Sequence, residues 1–122
     1  MPYIRIYPVG KISVEEAIED EGLLELMQDE VGGYIEPVYG LHSELAELVP
    51  NLMMIVNEEG VILHLRYNAL ASLLAPGQIL FGIALLMKTA VINEDGEEDI
   101  VPLTDEEARH IMEWLAKGGA EQ

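Results

Sequence analysis

Residues 3–7, YIRIY, alternate in the manner of a strand, with Ile4 and Ile6 on one parity and Tyr3, Arg5 and Tyr7 on the other. Pro8-Val9-Gly10 marks a turn and a second strand starts near Ile12, so an N-terminal hairpin is expected. In EGLLELMQDEVGG the period lengthens to that of a helix, about 22–31. Leu23, Leu24, Met27 and Val31 share a face there, and Glu25 and Asp29 turn to solvent. Gly32 falls where a helix end needs left-handed backbone. Gly33 frees the chain to reverse into the strand YIEPVY, whose Pro37 suits a sheet edge.

Further along, HSELAEL predicts a short helix capped by Ser43 and ending before Pro50. LMMIVNEEGVILHL reads as a hairpin, two apolar runs around a turn at Asn57-Glu58-Glu59-Gly60, and the same turn chemistry recurs at Asn93-Glu94-Asp95-Gly96. NALASLLAPG predicts another short helix, capped by Asn68 and stopped at Pro76-Gly77. In QILFGIALLMKTAVIN both parities are apolar: Phe81, Ile83 and Leu85 point one way, and Leu80, Ala84 and Leu86 the other. Such a strand needs cover on both faces, from helices on two sides of the sheet or from a second copy in a homodimer. The last pattern, TDEEARHIMEWLAKGG, predicts a helix over about 105–117 with a capping box of Thr104 and Glu107 and an apolar stripe of Ala108, Ile111, Met112 and Leu115. Glu106 with Arg109 and Glu113 with Lys117 stand at helical pairing distances on its outer side. The fold class that results is α+β: a mainly antiparallel sheet of hairpins, two main helices and short helical segments. It forms a single domain over residues 1–117, with 118–122 a frayed tail.

Composition changes this picture chiefly through charge. With 6 Lys+Arg against 23 Asp+Glu in 122 residues, the formal net charge is −17. That field repels phosphates and anionic lipid, so direct nucleic-acid binding and membrane association are not expected. It favours a protein partner with a basic surface. The candidate acidic face comprises Glu15, Glu16, Glu19, Asp20, Glu25 and Asp29. Rows of carboxylates of this kind can also imitate the phosphates of DNA. The chain has no cysteine, no basic-then-apolar leader and no apolar run near the roughly 20 residues a spanning helix needs, which together suggest the cytoplasm of a host cell.

Catalytic signatures are absent. Gly77 and Gly82 have the spacing that opens a phosphate loop, but no Lys-Ser/Thr follows. Gly32 and Gly33 follow a helix instead of preceding one, so no helix N-terminus points at an anion there. On the last helix Glu106, Glu107 and Glu113 flank His110 at spacings that could clasp a metal, yet no second such helix exists to complete a site. NEDGEED lacks the first acid of a calcium loop, and no Gly-x-Ser-x-Gly elbow is present. No cofactor is expected, and the balance is against an enzyme. The alternative is a small-molecule or metal-binding domain, with enzymatic activity open. It would place a pocket among the turn residues Gly32, Gly33, Tyr34, Asn57, Gly60 and Asn68. The aromatics Trp114, Tyr34, Tyr39 and Tyr67 are candidates for a contact patch.

The ordered set VGGYIEPVY (31–39), NEEG (57–60), Asn68 with ALASLL, ILFGIALLM (79–87) and LTDEE (103–107) resembles a family of unknown function from bacteriophages and bacterial mobile elements. Its members carry VGGYIE, NEEGK, a Leu-Pro-x-Asn segment, an Ile-x-Gly strand and a closing LT/SDEE. Val61 stands here in place of the lysine after NEEG, and Arg66-Tyr67 in place of Leu-Pro. The resemblance implies a phage or plasmid accessory protein and brings no catalytic residues with it.

Overall fold

A computed structural model describes residues 1–17 and 22–119. In chain order the elements are β1 (Pro2–Ile6), β2 (Ile12–Glu16), α1 (Leu23–Val31), β3 (Ile35–Val38), α2 (Ser43–Leu48), β4 (Leu52–Asn57), α3 (Ala69–Leu74), β5 (Ala84–Val91), β6 (Glu98–Val101) and α4 (Asp105–Ala116). The strands make an open antiparallel sheet in the order β2-β1-β5-β4-β3, with β6 also paired to β5. Lys88 pairs with Leu52 on one side and with Val101 on the other. Therefore β6 shares with β1 the edge of β5 that β4 leaves free. The α+β class, the two longer helices and the hairpins at Pro8–Gly10 and Asn93–Gly96 are as expected from sequence.

Strand alternation sorts the core into two layers. Ile4, Leu86 and Met54 form one cross-strand row and pack with Leu45, Leu74 and Ile111 of α2, α3 and α4. Leu85 with Ile55, and Met87 with Met53, face the other way onto Met27 and Val31 of α1. The doubly apolar β5 thus finds both of its covers within one chain, which removes the sequence argument for a second copy. Pro37 lies on β3, an edge strand, where a missing N–H disturbs the ladder least.

Several expectations are corrected. The segment after Gly60 is not a strand: β4 is paired on both edges, by β3 and β5, and has no free edge for the second half of a hairpin. The β5 strand starts only at Ala84, because residues 78–82 run as a connection docked on the loop before α3. The cap of α2 is His42, whose Nδ1 accepts the Glu44 N–H at 3.3 Å, so Ser43 is already helical. Leu24 is exposed, and Leu26 packs inward beside Leu23. On α4, Arg109 reaches Glu113 at 4.0 Å and Glu106 reaches His110 at 3.8 Å, in place of the pairs expected from spacing. The capping box of Thr104 and Glu107 forms as expected. Of the tail expected to fray, residues 120–122 lie outside the described residues.

Candidate functional site: an apolar loop framed by carboxylates

Asn57 ends β4 and is buried. Its Nδ2 donates to the Val31 carbonyl at 2.9 Å and its Oδ1 accepts the Glu59 N–H at 2.7 Å, so one amide ties the end of α1 to the turn after β4. Gly33 makes room for it, since a Cβ there would lie 2.9 Å from the Asn57 Nδ2. Beyond the turn the chain winds on itself: Leu63 N donates to Glu59 O at 2.9 Å, His64 N to Val61 O at 3.1 Å and Leu65 N to Gly60 O at 2.9 Å. His64 adopts φ 56, a left-handed conformation unusual outside glycine.

This wound loop is fixed to the segment before β5. Gly82 N donates to Arg66 O at 2.7 Å, Asn68 N to Leu80 O at 2.8 Å, and the Tyr67 and Phe81 rings meet edge to face at 6.0 Å. Three consecutive aliphatic side chains nevertheless face water: Val61 is 68% exposed, Ile62 72% and Leu63 49%. Ile79, 72% exposed, stands across a cleft of about 210 Å³. Val56 lines this cleft, and Glu36, Glu58 and Glu59 stand around it.

The turn residues nominated from sequence separate into two groups. Gly32, Gly33, Tyr34, Asn57 and Gly60 come together at this end of the sheet, with Tyr34 exposed. Asn68 does not join them. It is fully buried, its Nδ2 donating to Ile6 O and Gly82 O and its Oδ1 accepting the Ala71 N–H, all at 2.9–3.0 Å. Its bonds are all to backbone, which makes it a structural pin. The aromatics do not form one patch either: Trp114 stacks edge-on to His42 at 5.3 Å and donates to Glu44 Oε2 at 3.0 Å, away from the Tyr67–Phe81 pair.

The acidic residues are likewise distributed. Glu15 pairs across the ladder with Tyr3 and Glu16 with Pro2, so the two carboxylates leave opposite faces of the sheet. Glu15 sits 3.5 Å from Arg5, whereas Glu16 lies 3.3 Å from the amino terminus. Glu25 and Asp29 are exposed on α1, and Glu19 and Asp20 lie outside the described residues. A continuous row of phosphate-like charges does not run along β2.

Between α1 and β1 a polar knot forms. Tyr3 donates to Glu30 Oε2 at 2.7 Å, and Arg5 binds the same oxygen through Nε and Nη2 while donating to the Tyr7 hydroxyl at 2.6 Å. Burial, then the bond to Glu30 and its charge, push the Tyr3 phenol up to about 12. Burial works against the Arg5 charge, but its bonds to Glu30 and Tyr7 outweigh it and hold the guanidinium protonated. On α4, burial alone would raise Glu107, yet the Lys88 ammonium at 2.9 Å and the Thr104 N–H hold it below the usual carboxylate range. Glu107 is thereby committed to structure. Among the described residues no group of three or more His, Asp or Glu is placed to hold a metal ion, so Glu106, His110 and Glu113 do not assemble into a centre.

The exposed loop is the feature that sequence reading missed. The stretch VILHL gave no local sign of it, because the pairing of β4 on both edges by β3 and β5 decides that no strand follows the turn.

Residues 3–116 match the family described as "Domain of unknown function (DUF3846)", and the chain belongs to that family. No curated protein and no solved structure matches it. Among the described residues no helix is long and apolar enough to cross a membrane.

Proposed function

We propose that the protein is a non-enzymatic interaction module, an accessory protein of a bacteriophage or mobile element, that docks on a basic protein partner through the Val61–Leu63 loop. The observation that carries this reading is the display of three adjacent aliphatic side chains on an internally hydrogen-bonded loop. Single exposed aliphatics are ordinary on a soluble surface; a contiguous apolar patch rimmed by polar groups is characteristic of a contact site. Because the loop is already wound, little ordering entropy opposes binding. The net charge of −17 steers a basic partner toward it. The mobile-element origin rests on the VGGYIE, NEEG and LTDEE resemblance alone. The ligand-binding alternative is weakened by the state of its polar groups, since the Asn57 and Asn68 side chains both spend their bonds on backbone.

The test compares wild type with a Val61→Ser, Ile62→Ser, Leu63→Ser triple variant as bait in host lysate, at low and at about 0.5 M salt, where charge is screened beyond a few ångströms. A dominant protein retained by wild type and lost by the variant is the expected result. Equal retention by both baits would overturn the reading.

A further inference from the structure

The cleft between the Asn57–Ile62 turn and the Ile79–Phe81 segment has the features of a seat for one side chain. At about 210 Å³ it is smaller than the roughly 300–1,000 Å³ typical of small-molecule sites. Ile62 and Ile79, both largely exposed, line it together with the buried Val56 of β4. Glu36 stands opposite Val56 in the β3–β4 ladder and therefore on the same face of the sheet, beside Glu58 and Glu59 of the turn. Glu36 and Glu58 are exposed, Glu59 is half-buried, and none of the three is in an ion pair among the described residues. An apolar slot ringed by three uncompensated carboxylates is complementary to an aliphatic side chain with cations on either side of it.

We infer that this cleft binds a partner segment in which a leucine-like residue is flanked by Lys or Arg, the aliphatic group entering between Ile62 and Ile79 and the cations meeting Glu36, Glu58 and Glu59. The inference rests on the docking reading above and specifies it. Geometry separates the two contributions to binding. The aliphatic contact is insensitive to salt, while the carboxylate contacts weaken as the Debye length shortens. Glu94 and Glu97, exposed in the β5–β6 turn at the far end of β5, carry equal charge elsewhere, so they report on attraction that is merely diffuse.

Fluorescence anisotropy with a labelled Lys-Arg-Leu-Lys-Arg peptide tests it on the full chain, with a Lys-Arg-Ser-Lys-Arg peptide as comparison. Wild type is expected to prefer the leucine peptide by about tenfold, the order of one buried aliphatic group. Ile79→Ser should erase that preference at every salt concentration. A Glu36→Gln, Glu58→Gln variant should weaken binding at low salt and flatten its salt dependence, and Glu94→Gln, Glu97→Gln should do neither. Equal binding of both peptides, or equal weakening by the two glutamine variants, would overturn the cleft assignment. If the lysate partner still required Val61–Leu63 in that event, the docking reading would stand while this specification of it fell. Circular dichroism of each variant confirms that it is folded, so a loss of binding reports on the site.

Discussion

Asn57 and Asn68 show how one residue type serves two ends of the molecule. Asn68 caps α3 and also bridges Ile6 of β1 to Gly82, joining segments far apart in the chain. Asn68→Ala removes the cap and strands two buried carbonyls, so a loss of about 2–4 kcal/mol is expected by urea denaturation. A change under about 0.5 kcal/mol would show that water replaces the amide freely. Tyr3 offers a second test at this scale. Its phenol is raised from 10.0 to about 12, so the stability it contributes is complete below pH 10 and is lost as pH rises through about 12. Of the five tyrosines, one should ionise near pH 12 by ultraviolet titration, and Glu30→Gln should bring it down. The cap role of Asn68 was legible in NALASLL, because a cap is local. Its bonds to Ile6 and Gly82 were not, since they depend on where the sheet brings β1.

At the scale of elements, the same turn chemistry gave opposite outcomes at two sites. Asn93 and Gly96 close a hairpin between β5 and β6, with Asn93 Oδ1 accepting from Asp95 and Glu97. Asn57 and Gly60 make a comparable turn, but the chain beyond Gly60 is a loop. Local sequence specifies the turn; whether β3 and β5 leave an edge vacant decides if a strand can come after it. Helix ends at Gly32 and the Thr104–Glu107 box were readable for the converse reason, both being complete within a few residues. The candidate site was half visible: Gly33, Asn57 and Gly60 were named from sequence, whereas Ile62 and Ile79 required the fold. Replacing Val61, Ile62 and Leu63 together by serine should alter stability by about 0.5 kcal/mol or less per position, as expected for exposed side chains. Met54→Ala, within the fully buried β4, should cost about 2–5 kcal/mol. Urea denaturation of both variants checks the contrast. A loop variant as costly as Met54→Ala would mean that these aliphatic groups hold the fold together and are not free to meet a partner.

Over the whole molecule, two electrostatic effects oppose each other as pH falls. Self-repulsion from the net charge of −17 eases toward the isoelectric point near 4.2, which stabilises the compact state. Against this, Glu107 sits below its ordinary 4.5 because the bonds from Lys88 and Thr104 outweigh its burial. A depressed carboxyl contributes stability that is present above its unfolded value and lost as pH falls through its folded one. The melting temperature should therefore rise from about pH 8 to about pH 5 and fall again below about pH 4.5, and added salt should raise it on the neutral side by screening repulsion. Glu107→Gln isolates the second effect. Its destabilisation relative to wild type should be constant from about pH 7 to about pH 5 and shrink below that, as the wild-type carboxyl takes up the proton that glutamine mimics. Urea melts of both proteins across this range decide the matter. A difference that stayed constant down to about pH 3 would show that the Lys88–Glu107 pair contributes through packing alone, and that the acid limb belongs to other carboxylates.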